Sequence, residues 1–203
     1  MIIALINTKG GVGKTTSCIY LAEAAHRAGR AVTVWDADPQ GSALAWSDQA
    51  ADAGEPLSFN VEGRVPRRLT RAAALGVGGD VIIDTPPGDP QTIMRAVAAA
   101  DIVIVATGPG AADVDRAVET MEHYTGETPA LILLTQYKKN ETDSWSTWRS
   151  LQESDYAAFA TRIPARAAIQ RAYGARIAGD LFDYDRLLGE VDDVLAALSD
   201  QEG

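Results

Sequence analysis

Residues Lys9 to Thr16 read KGGVGKTT, directly behind the apolar run Ile2, Ile3, Ala4, Leu5, Ile6 and directly ahead of a helix-period stretch from 14 to 28. A buried strand, a glycine-rich turn and a helix start in that order make a phosphate cradle. Glycines let the backbone wrap a polyphosphate with its N–H groups inward, and the helix dipole adds partial positive charge where the anion sits. Gly10, Gly11, Val12 and Gly13 supply that backbone, Lys14 reaches the β- and γ-phosphates, Thr15 offers its hydroxyl to Mg²⁺, and Thr16 follows in the same turn. One departure from GxxxxGK[ST] stands out. The first glycine position holds Thr8 or Lys9, depending on register, so the loop carries a second lysine.

Working outward, apolar runs at 2–6, 31–35, 80–83, 102–106 and 131–135 alternate with helix-period stretches at 14–28, 42–52, 66–75, 91–99, 113–124, 143–152 and 183–198. Strands that alternate with helices predict an α/β fold with a mostly parallel central sheet and helices on both faces; Val- and Ile-rich strands fit burial from both sides. Ligands in such folds collect at the C-terminal ends of the strands. The candidates obey that rule: Lys14 and Thr15 follow the first run, Asp36 and Asp38 end the second, Asp84 ends the third, and Pro109 to Asp113 follow the fourth. Residues 53–65, with Gly54, Pro56 and Gly63, are the least regular stretch.

The chain has 203 residues, 46% of them hydrophobic, which suits one well-packed domain over 1–203. No apolar stretch reaches the ~20 residues that span a bilayer, and the N-terminal run reads as a strand rather than a signal peptide, so a cytoplasmic location is expected. The single cysteine, Cys18, cannot form an internal disulfide and is expected in the core. His26 and His123 have no ligand partners at metal-binding spacing.

The two-lysine loop KGGVGKTT resembles that of the deviant Walker-A ATPases, the ParA/Soj branch in particular. The likeness continues in order through VWDADPQGS at 34–42, VIIDTPPG at 81–88, IVIVATGPGAADVD at 102–115, LILLTQY at 131–137 and RIPARAAIQRAYGARIAGDLFDYD at 162–185. The resemblance implies a P-loop fold, ATP and Mg²⁺ as ligands, and weak ATP hydrolysis until stimulated. It implies that Asp38 orients the attacking water, that Asp36 lies near the metal with Thr15, and that Asp84 is the Walker-B carboxylate; alternatively Asp36 and Asp38 cap the turn before Ser42. Lys9, with no work in its own subunit, is expected to reach across an ATP-dependent homodimer into the partner's site, or else to be solvated. Asp113 lies at that interface or caps the helix 114–124. Pro109 could pack on the adenine, and Gln136 and Pro164 are assigned to the same nucleotide site. Iron–sulfur relatives are excluded, because they need paired cysteines.

The formal net charge is −10, yet the charge is uneven. Between Tyr156 and Gly179 there is no acid, and Arg162, Arg166, Arg171 and Arg176 form the candidate DNA-binding block. Arg64, Arg67, Arg68 and Arg71 form a second block, on one helix face if Pro66 starts the helix. Either block suits salt-sensitive, sequence-independent contact with a phosphate backbone, or is neutralised by the acidic C-terminal helix. Trp46, Trp145 and Trp148 are a stacking platform or packing residues.

The family likeness thus predicts a partition ATPase that coats the nucleoid and is released by a ParB-like centromere-binding protein. The chain starts at its first strand, without the helix-turn-helix domain of larger members, so sequence-specific DNA binding is not expected. A MinD-like regulator needs a basic amphipathic C-terminal helix, whereas Leu187, Leu188, Val191, Leu195 and Leu198 are interleaved with Glu190, Asp192 and Asp193; no membrane partner is expected. Positioning of a protein cargo and a metabolic ligase of the dethiobiotin synthetase type are the other readings.

Overall fold

The computed structural model describes residues 1–201. Strands β1 (Ile2–Ile6), β2 (Val32–Asp36), β3 (Asn60–Gly63), β4 (Asp80–Asp84), β5 (Ile102–Thr107) and β6 (Ala130–Leu134) form one sheet in the order β3-β2-β4-β1-β5-β6. Every pairing is parallel. Helices α1 (Lys14–Arg27), α2 (Ser42–Asp52), α3 (Arg71–Leu75), α4 (Pro90–Ala99), α5 (Ala111–Tyr124), α6 (Thr142–Gln152), α7 (Ala167–Arg171) and α8 (Tyr184–Gln201) complete the order.

The central strands are buried on both faces, as their unbroken apolar runs require. One core lies between Ile3, Leu5, Val34, Ile82 and Ile104 and the helices α1, α2 and α8. The other puts Ile2, Ala4, Ile6, Ile83 and Val105 against Ile93, Val97 and Ala117. Cys18 is fully buried in the first core.

Helix α8 is spent on packing. Leu187, Leu188 and Val191 are buried with Ile19 and Tyr20 of α1, each worth about 2 kcal/mol; Tyr184 stacks on Tyr20 at 5.1 Å and its hydroxyl meets Ser17 Oγ at 2.8 Å. Two of the acids on its other face have partners: Asp192 pairs with Arg30, and Glu190 accepts the N–H groups of Ala160 and Thr161. No helix among the described residues is long and apolar enough to cross a membrane.

Two parts of the pattern differ from expectation. β3 arises inside the irregular 53–65 stretch, pairing Val61 with Val34. The expected helix over 66–75 is instead a 3-10 turn at Pro66–Arg68 followed by the short α3. Leu69 turns into the core at 3% exposure and Thr70 caps α3, so the two pieces are not collinear. The second arginine block therefore shares no face: Arg64 stacks over Trp35 and pairs with Glu62, while Arg71 pairs with Asp101.

At one sheet edge, β3 is four residues long and carries Glu62. At the other, the extended segment after α6 hydrogen-bonds along β6 and just beyond it, through Ile132 N–H to Ala157 O, Phe159 N–H to Ile132 O and Tyr137 N–H to Ile163 O.

Candidate nucleotide site

The loop between β1 and α1 is held open by glycine geometry and side-chain pins. Gly11 and Gly13 take left-handed φ values of 77° and 84°, which a side chain would strain. Asn7, wholly buried, donates to Ala106 O at 2.7 Å and accepts the Lys9 N–H at 2.8 Å, fixing where the loop leaves the sheet. Thr135 Oγ1 reaches Val12 O at 2.9 Å, and Gln136 Nε2 reaches Gly11 O at 2.7 Å from a left-handed backbone of its own, φ 55°. Neither Asn7 nor Thr135 was legible as a site residue, because each acts through strand pairings far apart in the chain.

The loop opens onto two adjoining clefts. One, of about 400 Å³, brings Lys14, Thr15 and Thr16 together with Asp38, Ser42 and Pro87. The other, of about 550 Å³, runs from Gly11 and Thr16 past Pro109 and Gln136 to Pro164 and Arg166. Gln136 and Pro164 are thus brought beside the loop as expected, and Pro109 forms part of the same wall. Together the clefts offer a polyphosphate end rich in N–H groups and a far end with proline and isoleucine walls, the arrangement a nucleoside triphosphate needs.

Lys14 is buried, and its Nζ donates to Lys9 O at 3.2 Å, the direction in which phosphate oxygens would lie. Burial pushes its ammonium pKa down, while Asp84 pulls it up. Asp84 has no exposed surface, and neither of its oxygens has a well-formed hydrogen bond. Burial raises its pKa to about 7; the Thr15 hydroxyl and Lys14 oppose the shift, and the carboxylates of Asp36 and Asp38 add to it. The register explains the crowding, since Asp36 and Asp84 are direct partners across β2 and β4. An orphaned carboxylate beside a threonine hydroxyl and a phosphate loop fits a hard divalent cation that takes its other ligands from phosphate and water. No cluster of three or more His, Cys, Asp or Glu side chains among the described residues offers a site built by protein alone.

Asp36 is placed beside this centre, but its hydrogen bonds go to the backbone. Oδ2 accepts from Ala43 N and Leu44 N at 2.9 and 3.0 Å, and Oδ1 from Asp38 N at 3.1 Å, so it caps α2 in the manner of the capping alternative. Asp38 accepts the Gln40 N–H at 2.9 Å and lines the phosphate cleft.

Lys9 points away from the cleft, and its ammonium, on a side chain 41% exposed, pairs with Asp113 of the same chain. It is neither free in solvent nor part of the lining of either cleft. Asp113 is not the helix cap: α5 begins at Ala111 with Gly110 in the capping position, which leaves Asp113 in the first turn. Its carboxylate folds over the glycines before it, so closely that a Cβ at Gly108 would lie 2.5 Å from Oδ2.

The arginine block is dispersed. Arg162 lies over the rings of both Tyr137 and Trp148, at 4.6 and 4.3 Å. Arg166 sits at the rim of the base-side cleft, Arg171 is exposed at the end of α7, and Arg176 borders a groove with Glu23 and Arg27. None of the four forms an ion pair with a carboxylate among the described residues, so α8 does not neutralise them. Trp46 is a packing residue, 1% exposed, with its Nε1–H on Ala175 O.

Asp84 sets a prediction about stability. Between pH ~4 and about 7 the native state holds a proton that the unfolded chain has released, so the carboxyl costs stability increasingly as pH rises through that window. At about 1.4 kcal/mol per pKa unit the cost reaches a few kcal/mol above pH 7. Asp84→Asn should therefore raise the melting temperature of the nucleotide-free protein, with a gain that grows from pH 5 to 7 and then levels off. Thermal melts at pH 5 and 8 check this, and a variant melting below the parent at pH 8 contradicts it.

A parallel sheet, a glycine-rich loop at the C-terminal end of β1, a buried loop lysine and an aspartate ending β4 define a P-loop nucleotide-binding protein. A profile of the CobQ/CobB/MinD/ParA nucleotide-binding domain matches residues 3–176. The chain belongs to that family and is of its ParA/MinD ATPase type. It is 34% identical over 176 residues to the maintenance of carboxysome distribution protein A of Gloeobacter kilaueensis, an alignment covering 84% of this chain and 80% of that one. To the chromosome-partitioning ATPase Soj of Thermus thermophilus it is 34% identical over 131 residues, covering 51% of this chain and 53% of Soj. Among solved structures, a putative plasmid partition protein from Borrelia burgdorferi bound to AMPPNP superposes with a TM-score of 0.72 at 17% identity, over 97% of this chain and 98% of that one, a likeness of fold.

Proposed function

We propose that this chain is a positioning ATPase that binds ATP with Mg²⁺, pairs with a second copy in that state, holds DNA without sequence preference and lets go after hydrolysis. The observation that carries the reading is the division of labour in one loop: Lys14 is buried facing the cleft and Lys9 is turned outward. Lys14 would exchange the Lys9 carbonyl for phosphate oxygens. Thr15 and Asp84 would hold Mg²⁺, which supplies neutralisation of charge on the phosphates. Asp38, on the cleft wall, would orient the attacking water, and Asp36 would keep that turn in place through α2. Lys9 would leave Asp113 to reach the second copy's site, so that nucleotide binding and dimerisation form one linked equilibrium.

Non-specific DNA and a ParB-like partner that stimulates hydrolysis belong to the same reading, as does residence on the nucleoid in the cytoplasm. Of the three exposed arginines of the block, Arg171 and Arg176 are the first candidates for phosphate contact, since Arg166 lines the base-side cleft and Arg162 lies over two rings. A protein cargo is favoured as the load by the likeness to the carboxysome distribution protein, which spans 84% of the chain against 51% for Soj. A membrane-docking role finds no support in α8, whose apolar face is packed on α1.

Fluorescence anisotropy with ATP on two unrelated duplexes tests the reading. Binding should be equal on both and weaken with salt, and the double change Arg171→Glu, Arg176→Glu should lower affinity at least about tenfold and flatten the dependence on log salt by roughly two. Absence of parental binding at low salt would remove DNA as the track.

A further inference from the structure

The wall of the phosphate cleft opposite the loop is aromatic, and it is made by two segments far apart in sequence. Trp46, one turn into α2, and Tyr173, just past α7, both line that cleft with Asp38 and Ser42. Their rings meet at 5.2 Å in a tilted contact. The Trp46 Nε1–H donates to Ala175 O at 2.8 Å, and the Tyr173 hydroxyl lies 3.5 Å from Ser42 O. Gly174 between them has φ 74° and lies so flush on α2 that a Cβ there would come within 2.3 Å of Gln49 Oε1. Three consecutive residues, 173 to 175, are therefore seated on the first two turns of α2.

That helix begins where the turn carrying Asp38 ends: Gly41 is in left-handed conformation and Ser42 is its first residue. Arg171 stands two residues before Tyr173, and Arg176 follows Ala175 directly. A γ-phosphate, or a water held by Asp38, would press on the same turn that α2 continues, and α2 carries the segment bearing Arg171 and Arg176. Tyr173 is the exposed member of the contact, at 46%, while Trp46 is 1% exposed. A tyrosine left half in solvent on a cleft wall can respond to what fills the cleft, as a buried ring cannot.

We infer that Tyr173 is a positioning residue that ties nucleotide occupancy, sensed at the turn 38–42, to the order of the arginine segment 171–176. The inference rests on the nucleotide-binding reading above and assigns the coupling to one side chain. It makes the cationic surface a property of the ATP state: without nucleotide the segment is held only by its contacts to α2, and with nucleotide the ring is clamped from both sides.

Hydrogen–deuterium exchange on the whole chain, with and without AMPPNP and Mg²⁺, tests it for the parent, Tyr173→Phe and Tyr173→Ala. In the parent, uptake over 167–177 should fall at least about twofold on adding nucleotide, alongside protection of the loop 9–16. Tyr173→Phe should behave like the parent, because the ring contact outweighs a hydroxyl at the limit of hydrogen-bond distance. Tyr173→Ala should keep loop protection and lose the change over 167–177. Either a parental segment indifferent to nucleotide or a Tyr173→Ala protein that retains the response overturns the inference. A parent that shows the coupled protection yet binds no DNA by anisotropy upholds the tie and removes only the DNA track.

Discussion

Lys14→Ala is expected to abolish nucleotide binding at concentrations where the parent is saturated. Lys14 is the one cation facing the phosphate cleft from the loop, and it is already buried there. Charge-assisted hydrogen bonds are worth about 1.5–3 kcal/mol each, so losing two phosphate contacts lowers affinity by at least about a hundredfold. The truncation also removes the cation that opposes the raised pKa of Asp84, so that carboxyl keeps its proton to a higher pH. Among the described residues the Lys14 ammonium donates to Lys9 O alone, a loop carbonyl that water can satisfy, and the fold should persist. Titration with a fluorescent ATP analogue reads the effect, with circular dichroism as the control. Affinity near the parental value would remove the phosphate-cradle assignment.

Asp38→Ala should leave nucleotide affinity within a few-fold of the parent and lower turnover by at least about a hundredfold, the scale of losing a group that positions or activates the nucleophile. The difference from Asp36 matters here. Asp36 is 2% exposed and holds three backbone N–H groups, so its removal would unpin α2; the Asp38 carboxylate accepts, among the described residues, the Gln40 N–H alone, which solvent can replace. The variant should accumulate with ATP as a stable dimer, visible as a doubling of mass by light scattering, because the step that dissolves the dimer is missing. Phosphate release at the parental rate would transfer the water-positioning role to another residue.

Much of this site was readable because its parts are local. The loop, Asp36, Asp38 and Asp84 each sit at the end of an apolar run, and a parallel sheet must bring such ends to one side. What escaped reading depends on pairings between distant segments. β3 reads Asn60, Val61, Glu62, Gly63 and has no apolar run, because an edge strand is covered on fewer sides. The break at Leu69 is invisible to helical spacing, since one residue drawn into the core overrides the local pattern. Asn7 and Thr135 pin the loop only once β5 and β6 lie beside β1, and Tyr173 reaches the cleft only because Gly174 lets the chain lie flat on α2. The capping alternative for Asp113 missed by a single turn, because Gly110 starts α5 earlier than the apolar spacing suggests.

The treatment of the sheet's two margins bears on how copies of this chain can gather. An unpaired strand is an open invitation to another chain's backbone. Here β3 offers only four residues, with a carboxylate from Glu62 among them, and the far margin is already occupied by the stretch through Ala157, Phe159 and Ile163. Growth by strand addition is thereby disfavoured, on one side by a short, charged strand and on the other by the segment already laid along β6. A larger assembly of this chain is thus favoured to form through side-chain surfaces rather than through a shared backbone ladder.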